Sequence, residues 1–157
     1  MFIYTLKAST LKLFAVICVA LAAVITVIAF VPTGTDDMAV MQKNKIDYTG
    51  VATNENRLSF LGQFGWEAKK EPVNSVETTI PSEFDSVFSG YNEIQKKQGL
   101  DLSDYKGKKV MKYTYEITNY PGFDGRVYAN ILVYRNRVIG GDICSAEITG
   151  FIHGFEK

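Results

Sequence analysis

The chain has 157 residues, and its seventeen Lys and Arg balance seventeen Asp and Glu, so its formal charge is zero. Without a basic field it has nothing to draw in a phosphate backbone, which excludes nucleic-acid binding. Two cysteines and one histidine exclude a disulfide framework and a multi-histidine metal site, and no cofactor signature is present.

Residues 1–12 form a short head. Leu13–Val31 then runs nineteen residues without charge, Gly or Pro, and Thr26 is its one hydroxyl. As a helix this stretch would reach roughly 28 Å, the thickness of a bilayer's hydrocarbon core, so it is expected to span the lipid bilayer. A cleaved signal peptide is the competing reading, since Ala20-Leu21-Ala22 has a small-x-small pattern. The apolar run continues through Val31, however, which favours an uncleaved anchor. Lys12 abuts the span, whereas Asp36 and Asp37 precede the first cations, Lys43 and Lys45, on the other side. This asymmetry predicts a single-pass protein of the cell membrane, N-terminus cytoplasmic and C-terminal domain outside. Cys18, Ala22 and Thr26 recur every four residues, as do Ala15, Ala22 and Ala29 every seven. Small residues so spaced could pair two spans in a homodimer, against the plainer reading that Ala is common in such segments.

Residues 32–50 mix Thr, Gly, Asp, Lys and Asn and read as a linker. The remaining 51–157 are expected to form one extracytoplasmic α+β domain. Removing the head and span leaves fifteen Lys and Arg against all seventeen acids, a charge of about −2. Cys18 and Cys144 fall in different segments, so no internal disulfide is expected.

A short helix is predicted near 54–64, capped by Thr53 or Asn54, with Leu58, Leu61 and Phe64 on one face and Gly65 ending it. Trp66 follows as a core anchor. Glu67–Thr79, interrupted by Pro72, suits an irregular or edge strand. Pro81-Ser82-Glu83-Phe84-Asp85 reads as a helix start, with Ser82 as the cap and Asp85 reaching back. The helix 83–98 then carries an apolar stripe of Phe84, Val87, Phe88, Tyr91 and Ile94, and Gly99 stops it. After a turn at 101–107 the period becomes two. Met111, Tyr113, Tyr115 and Ile117 mark one strand, Arg126–Tyr134 a second, and Val138–Ser145 a third beyond the tight Arg135-Asn136-Arg137 turn. Ala146–Phe155 is a candidate last edge strand. The expected fold is therefore an N-terminal transmembrane helix followed by a small two-layer domain, an antiparallel β-meander packed by helix 83–98 with the shorter helix beside it.

Several local strings carry a resemblance. They are Asn56-Arg57-Leu58-Ser59-Phe60-Leu61 with Phe64-Gly65-Trp66, Ile80-Pro81-Ser82-Glu83-Phe84 and the run Tyr91–Gly99, followed by Asn119-Tyr120-Pro121, Val127-Tyr128-Ala129-Asn130, Gly140–Ser145 and Gly150–Phe155. Together, over about residues 50–157, the chain resembles an uncharacterised family of small single-pass membrane proteins of Gram-positive bacteria. Their soluble part is known only as a domain of unknown function. The resemblance implies a bacterial envelope protein and brings no activity and no site residues with it.

Candidate chemistry is sparse. Asp101 and Asp104 lack the alternating oxygens and central Gly of a calcium loop and read as a capped turn, so no metal site is expected. Gly140-Gly141 lies in a strand without a following helix and Lys, which points to a bulge or close backbone approach rather than a phosphate loop. The polar face of the sheet is the candidate ligand surface: Lys112, Glu116, Tyr128, Asn130 and Asp142 should point the same way, with Tyr105, Tyr120 and Phe123 near its edges to stack on a peptide or glycan. An ordinary solvated face is the plainer alternative. The function expected is a membrane-anchored binding or sensing module without catalytic activity, its partner an envelope protein or a cell-wall polymer. The alternative is a thiol- or carboxylate-dependent envelope enzyme using Cys144, His153 and Asp142, with His153 as the base; there the Asp142 carboxylate would raise the thiol pKa rather than lower it.

Overall fold

Alternating apolar and polar residues in Lys109–Ile117 form the strand β2 on which the domain is built. The computed structural model describes residues 45–147 and 149–157. The head, the span with its Cys18, Ala22 and Thr26 face, and linker residues 32–44 lie outside those. Among the described residues no helix is long and apolar enough to cross a membrane.

Five antiparallel strands run in chain order across one sheet: β1 (Asn74–Thr79), β2, β3 (Val127–Tyr134), β4 (Arg137–Ser145) and β5 (Ile152–His153). Short connections between sequence neighbours explain the meander. The β3–β4 turn is tight because Arg135 and Asn136 both take positive φ, at 46° and 64°, as a two-residue hairpin requires. β1 is an edge strand, as its Pro72 approach predicts. The chain before it keeps irregular contact with β2 and its end: Lys69 N–H donates to the Glu116 carbonyl at 2.9 Å, Val73 N–H to the Thr114 carbonyl at 2.7 Å, and Thr118 N–H to the Glu67 carbonyl at 2.8 Å. The tail supplies the other edge as β5.

One sheet face presents Tyr115, Ile117, Val127, Ala129, Ile131 and Ile143 and packs against helix α1 (Asn54–Gly62) through Phe60 and Leu61. Thr53 caps α1, and Gly65 turns the chain at φ 76°, a conformation in which a Cβ is costly. Trp66 is buried there and its Nε1–H donates to the Phe155 carbonyl at 2.6 Å. Arg57 is buried as well, and its Nε–H donates to the Tyr115 hydroxyl at 2.8 Å.

The opposite face packs Val110 and Leu132 with Ile80, Leu102 and Ile139 beneath Phe84, Phe88 and Tyr91. Helix α2 (Ser86–Lys97) thus lies on the other side from α1, and the sheet is the middle layer rather than one of two.

The α2 boundary and phase correct the expectation. Asp85, not Ser82, is the N-cap: its carboxylate accepts the Phe88 N–H at 2.7 Å, so the helix begins at Ser86 rather than Glu83. Val87, counted in the apolar stripe, is 79% exposed. The inward face is instead Phe88, Tyr91, Asn92 and Gln95, spaced i, i+3, i+4 and i+7. Two of these are buried amides, and hydrogen bonding makes that tolerable. Asn92 accepts the Leu102 N–H at 2.8 Å and donates to Asp101 at 2.9 Å. Gln95 accepts the Gly141 N–H at 2.8 Å.

The compact unit begins at Ile46, inside the stretch read as linker. Its first residues add to the sheet: the Tyr48 carbonyl accepts Val138 N–H at 2.7 Å, and Thr49 bridges Arg137.

Candidate ligand-binding cleft

Period two decides which side chains share the α2 face. Lys112 pairs with Leu132, Thr114 with Asn130 and Glu116 with Tyr128; Asn130 pairs in turn with Asp142, and Tyr128 with Cys144. All five residues expected to point one way therefore do. The face is not an open solvated surface, because α2 crosses one end of it. What remains is a cleft of about 330 Å³. Lys112, Asn130, Leu132, Asp142 and Cys144 line its floor, and Thr78, Thr79, Ile80, Phe88, Tyr91 and Ile152 its walls. Of the five expected residues, Lys112, Asn130 and Asp142 line the cleft. Glu116 is engaged by Lys69 at 2.8 Å, and half-buried Tyr128 lies outside the lining.

Asp142 is the centre of the floor and is 4% exposed. Its Oδ1 accepts from the Tyr91 hydroxyl at 2.8 Å and its Oδ2 from the Asn130 amide at 2.8 Å. Asn130 is itself fixed, accepting from the Thr114 hydroxyl at 2.8 Å. The carboxylate is thus held in one orientation by two neutral donors, one from α2 and one from β3, the latter braced in turn by β2. Burial, with the Asp142 charge second, holds the Tyr91 hydroxyl well above the usual tyrosine range. The same two causes push the Cys144 thiol up to about 11.

This arrangement bears directly on the thiol chemistry. A thiol at about 11 carries almost no thiolate near neutrality. His153 does not reach it, because β5 pairs His153 with Ile143 and Ile152 with Cys144, which sends the imidazole to the α1 face. There Nδ1–H donates to the Gly154 carbonyl at 2.7 Å, Nε2 faces the Tyr120 hydroxyl at 3.1 Å, and the ring stacks on Phe151. The alternative in which His153 serves Cys144 as its base is corrected by that register.

The edge aromatics are likewise engaged away from the cleft. Tyr120 stacks on Trp66 and on Phe151, Phe123 meets Phe151 edge-on, and Tyr105 meets Tyr134. Gly140-Gly141 is a close approach, as its residues indicate: a Cβ on Gly141 would stand 2.2 Å from the Phe155 ring and 2.3 Å from the Asn130 carbonyl. A register shift at Leu132/Val133 accompanies it. Among the described residues, no group of three or more His, Cys, Asp or Glu side chains converges as a metal site would. Sequence reasoning missed Tyr91 and Phe88 as cleft walls. The available signal was Asn92 and Gln95, amides at helical spacing that mark where α2 faces inward.

A family model described as a domain of unknown function, DUF4830, matches residues 60–143, more than half of the chain. The chain belongs to this family. The DUF4830 stretch contains Tyr91, Lys112, Asn130 and Asp142, so the cleft floor is built almost wholly within it; His153 and Phe155 lie beyond. Comparisons with curated proteins and with solved structures gave no match.

Proposed function

We propose that this DUF4830 protein is a non-catalytic, membrane-anchored binding module of a Gram-positive cell envelope, tethered by residues 13–31 and presenting residues 46–157 outside the cell. The observation that carries the binding reading is the cleft floored by Asp142, whose carboxylate is buried, oriented and adjacent to open volume. Such a combination of apolar walls with a few fixed polar groups is what small ligand sites share. The apolar run Leu13–Val31 and the position of Lys12 support the anchor and its orientation. The enzyme reading draws little from the site, since its thiol is protonated and its histidine is on the other face.

Two measurements test this. A single cysteine at position 35, in a Cys18→Ser, Cys144→Ser background, should react with a membrane-impermeant maleimide on intact cells; reaction only after permeabilisation would overturn the outward orientation. A fragment screen on the full chain in nanodiscs, followed by amide NMR, should move Thr114, Leu132 and Asp142 resonances. A screen with no hit moving them would overturn the cleft as the binding site.

A further inference from the structure

Resting on that reading, we infer that the cleft recognises a primary ammonium group attached to an apolar body. Asp142 is the reason. It is an almost fully buried carboxylate, yet the ion pairs among the described residues, Lys69–Glu116, Lys96–Glu93 and Lys109–Glu77, do not include it. Tyr91 and Asn130, both neutral, donate to one oxygen each, and the neutral Cys144 thiol also hydrogen-bonds the carboxylate. A carboxylate has about four acceptor positions, so the oxygens retain capacity on the cleft side.

Holding a carboxylate out of water with neutral donors alone leaves its charge uncompensated, and a cation of complementary size is what such a site favours energetically. The surroundings select the cation. Phe88 and Tyr91 put two aromatic rings in the wall, suited to an ammonium and to the carbon next to it. Leu132, Ile80 and Ile152 supply apolar surface for a side chain of modest size, and about 330 Å³ is at the small end of ligand sites. Lys112 stands two strands and two residues along from Asp142, roughly 12 Å between Cα atoms at ordinary strand geometry. The floor is therefore polarised, with its anion on β4 and its cation on β2. A ligand whose ammonium meets Asp142 would turn a carbonyl toward Lys112, and the reversed pose would set like charges together. A free amino-acid derivative and the amino terminus of an envelope peptide share this chemistry.

The test uses the full chain in nanodiscs and calorimetry with three probes: leucinamide, N-acetyl-leucinamide and the tripeptide Leu-Gly-Gly. Leucinamide should bind, and acetylation, which removes the charge while keeping the side chain, should weaken binding at least tenfold, the loss expected for a charged hydrogen bond. Asp142→Asn should weaken leucinamide to a similar degree with an unchanged near-ultraviolet spectrum; the acetylated probe on the wild type decides the matter if that variant does not fold. Equal binding of the amine and its acetyl derivative, or leucinamide binding that survives Asp142→Asn, would overturn the ammonium inference and leave the cleft as a binding site. Binding of neither probe would overturn it too, whereas failure of the wider fragment screen is what removes the cleft itself. Leu-Gly-Gly binding as well as leucinamide would assign a peptide terminus, and a tenfold weaker tripeptide a free amine; both outcomes sustain the ammonium site.

Discussion

Gln95 Oε1 accepts the backbone N–H of Gly141 at 2.8 Å, joining the last turn of α2 to β4 across 46 positions of sequence. Both residues are buried, and Gln95 has no solvent exposure. Truncating it to Ala would strand a buried donor, and an unsatisfied group of that kind costs about 1–3 kcal/mol before any packing loss. Gln95→Ala should therefore lower the unfolding free energy by about 2–3 kcal/mol, read as a urea midpoint shift at constant m. A change under 0.5 kcal/mol would show that the contact holds nothing.

Asn130 should behave as a structural member of the cleft floor and not as a free ligand-binding side chain. It links Thr114 to Asp142, so Asn130→Ala would leave the carboxylate short of a donor; a loss of about 2 kcal/mol is expected in the same denaturation assay. Tyr128→Ala, one pair along and outside the cleft lining, should cost less.

Burial of Arg57 predicts a sharp distinction between Arg and Lys. Its guanidinium donates to the Tyr115 hydroxyl at 2.8 Å and the Ala52 carbonyl at 2.9 Å while lying 3.8 Å from the Tyr113 ring centre. An ammonium cannot reproduce that planar fork, so Arg57→Lys should destabilise by about 2–3 kcal/mol although charge is kept. Thermal melts of the two proteins side by side measure it.

Alkaline stability should depend on Cys144. Its thiol is pushed from an ordinary 9.0 up to about 11, first by burial and then by Asp142. Between those values the unfolded chain ionises while the folded one does not, so stability present below 9 is lost as pH rises toward 11. Cys144→Ala should flatten that limb by about 1–2 kcal/mol in paired denaturation curves at both ends of the window.

The acid limb belongs in part to Asp101. The Ser103 hydroxyl, then the Asn92 amide and the Ser103 N–H, hold its carboxyl at about 2, below the ordinary 3.8. A lowered carboxyl stabilises the fold above the unfolded value and loses that contribution as pH falls through the folded one. Asp101→Asn should be less stable at neutral pH and should show a shallower decline from pH 4 to pH 2, followed by circular dichroism.

Much of this could be read from the residues because the signals were local. The alternation in β2 to β4 placed Lys112, Glu116, Tyr128, Asn130 and Asp142 on one face, and the register keeps them there. Gly65, Gly99 and Asn136 announced their turns through the conformations they tolerate, and all three take positive φ, as does Arg135 beside Asn136. What escaped was set at long range or by competition between equals. Ser82 and Asp85 can both cap a helix; Asp85 does, its carboxylate taking the Phe88 N–H while Phe84 packs on the Phe88 ring. An apolar stripe also hides the inward role of Asn92 and Gln95, since their partners lie outside the helix. For the same reason nothing in β2 to β4 reveals that α2 will cross one end of their polar face. Ile46 and Tyr48 escaped too, being too few to show a period.

Trp66 and Phe155 close one core although 89 positions separate them. Phe155, fully buried, meets the Phe60 and Phe64 rings, and its N–H is taken by Gln98. A chain emerging from the ribosome therefore carries α1 and Trp66 for some ninety residues before the ring that seals them is made, and at ordinary synthesis rates that wait is several seconds to tens of seconds. Helper proteins that shield nascent apolar surface have their longest engagement here, and a premature stop at residue 154 would yield nearly every element and still leave the interior open to water.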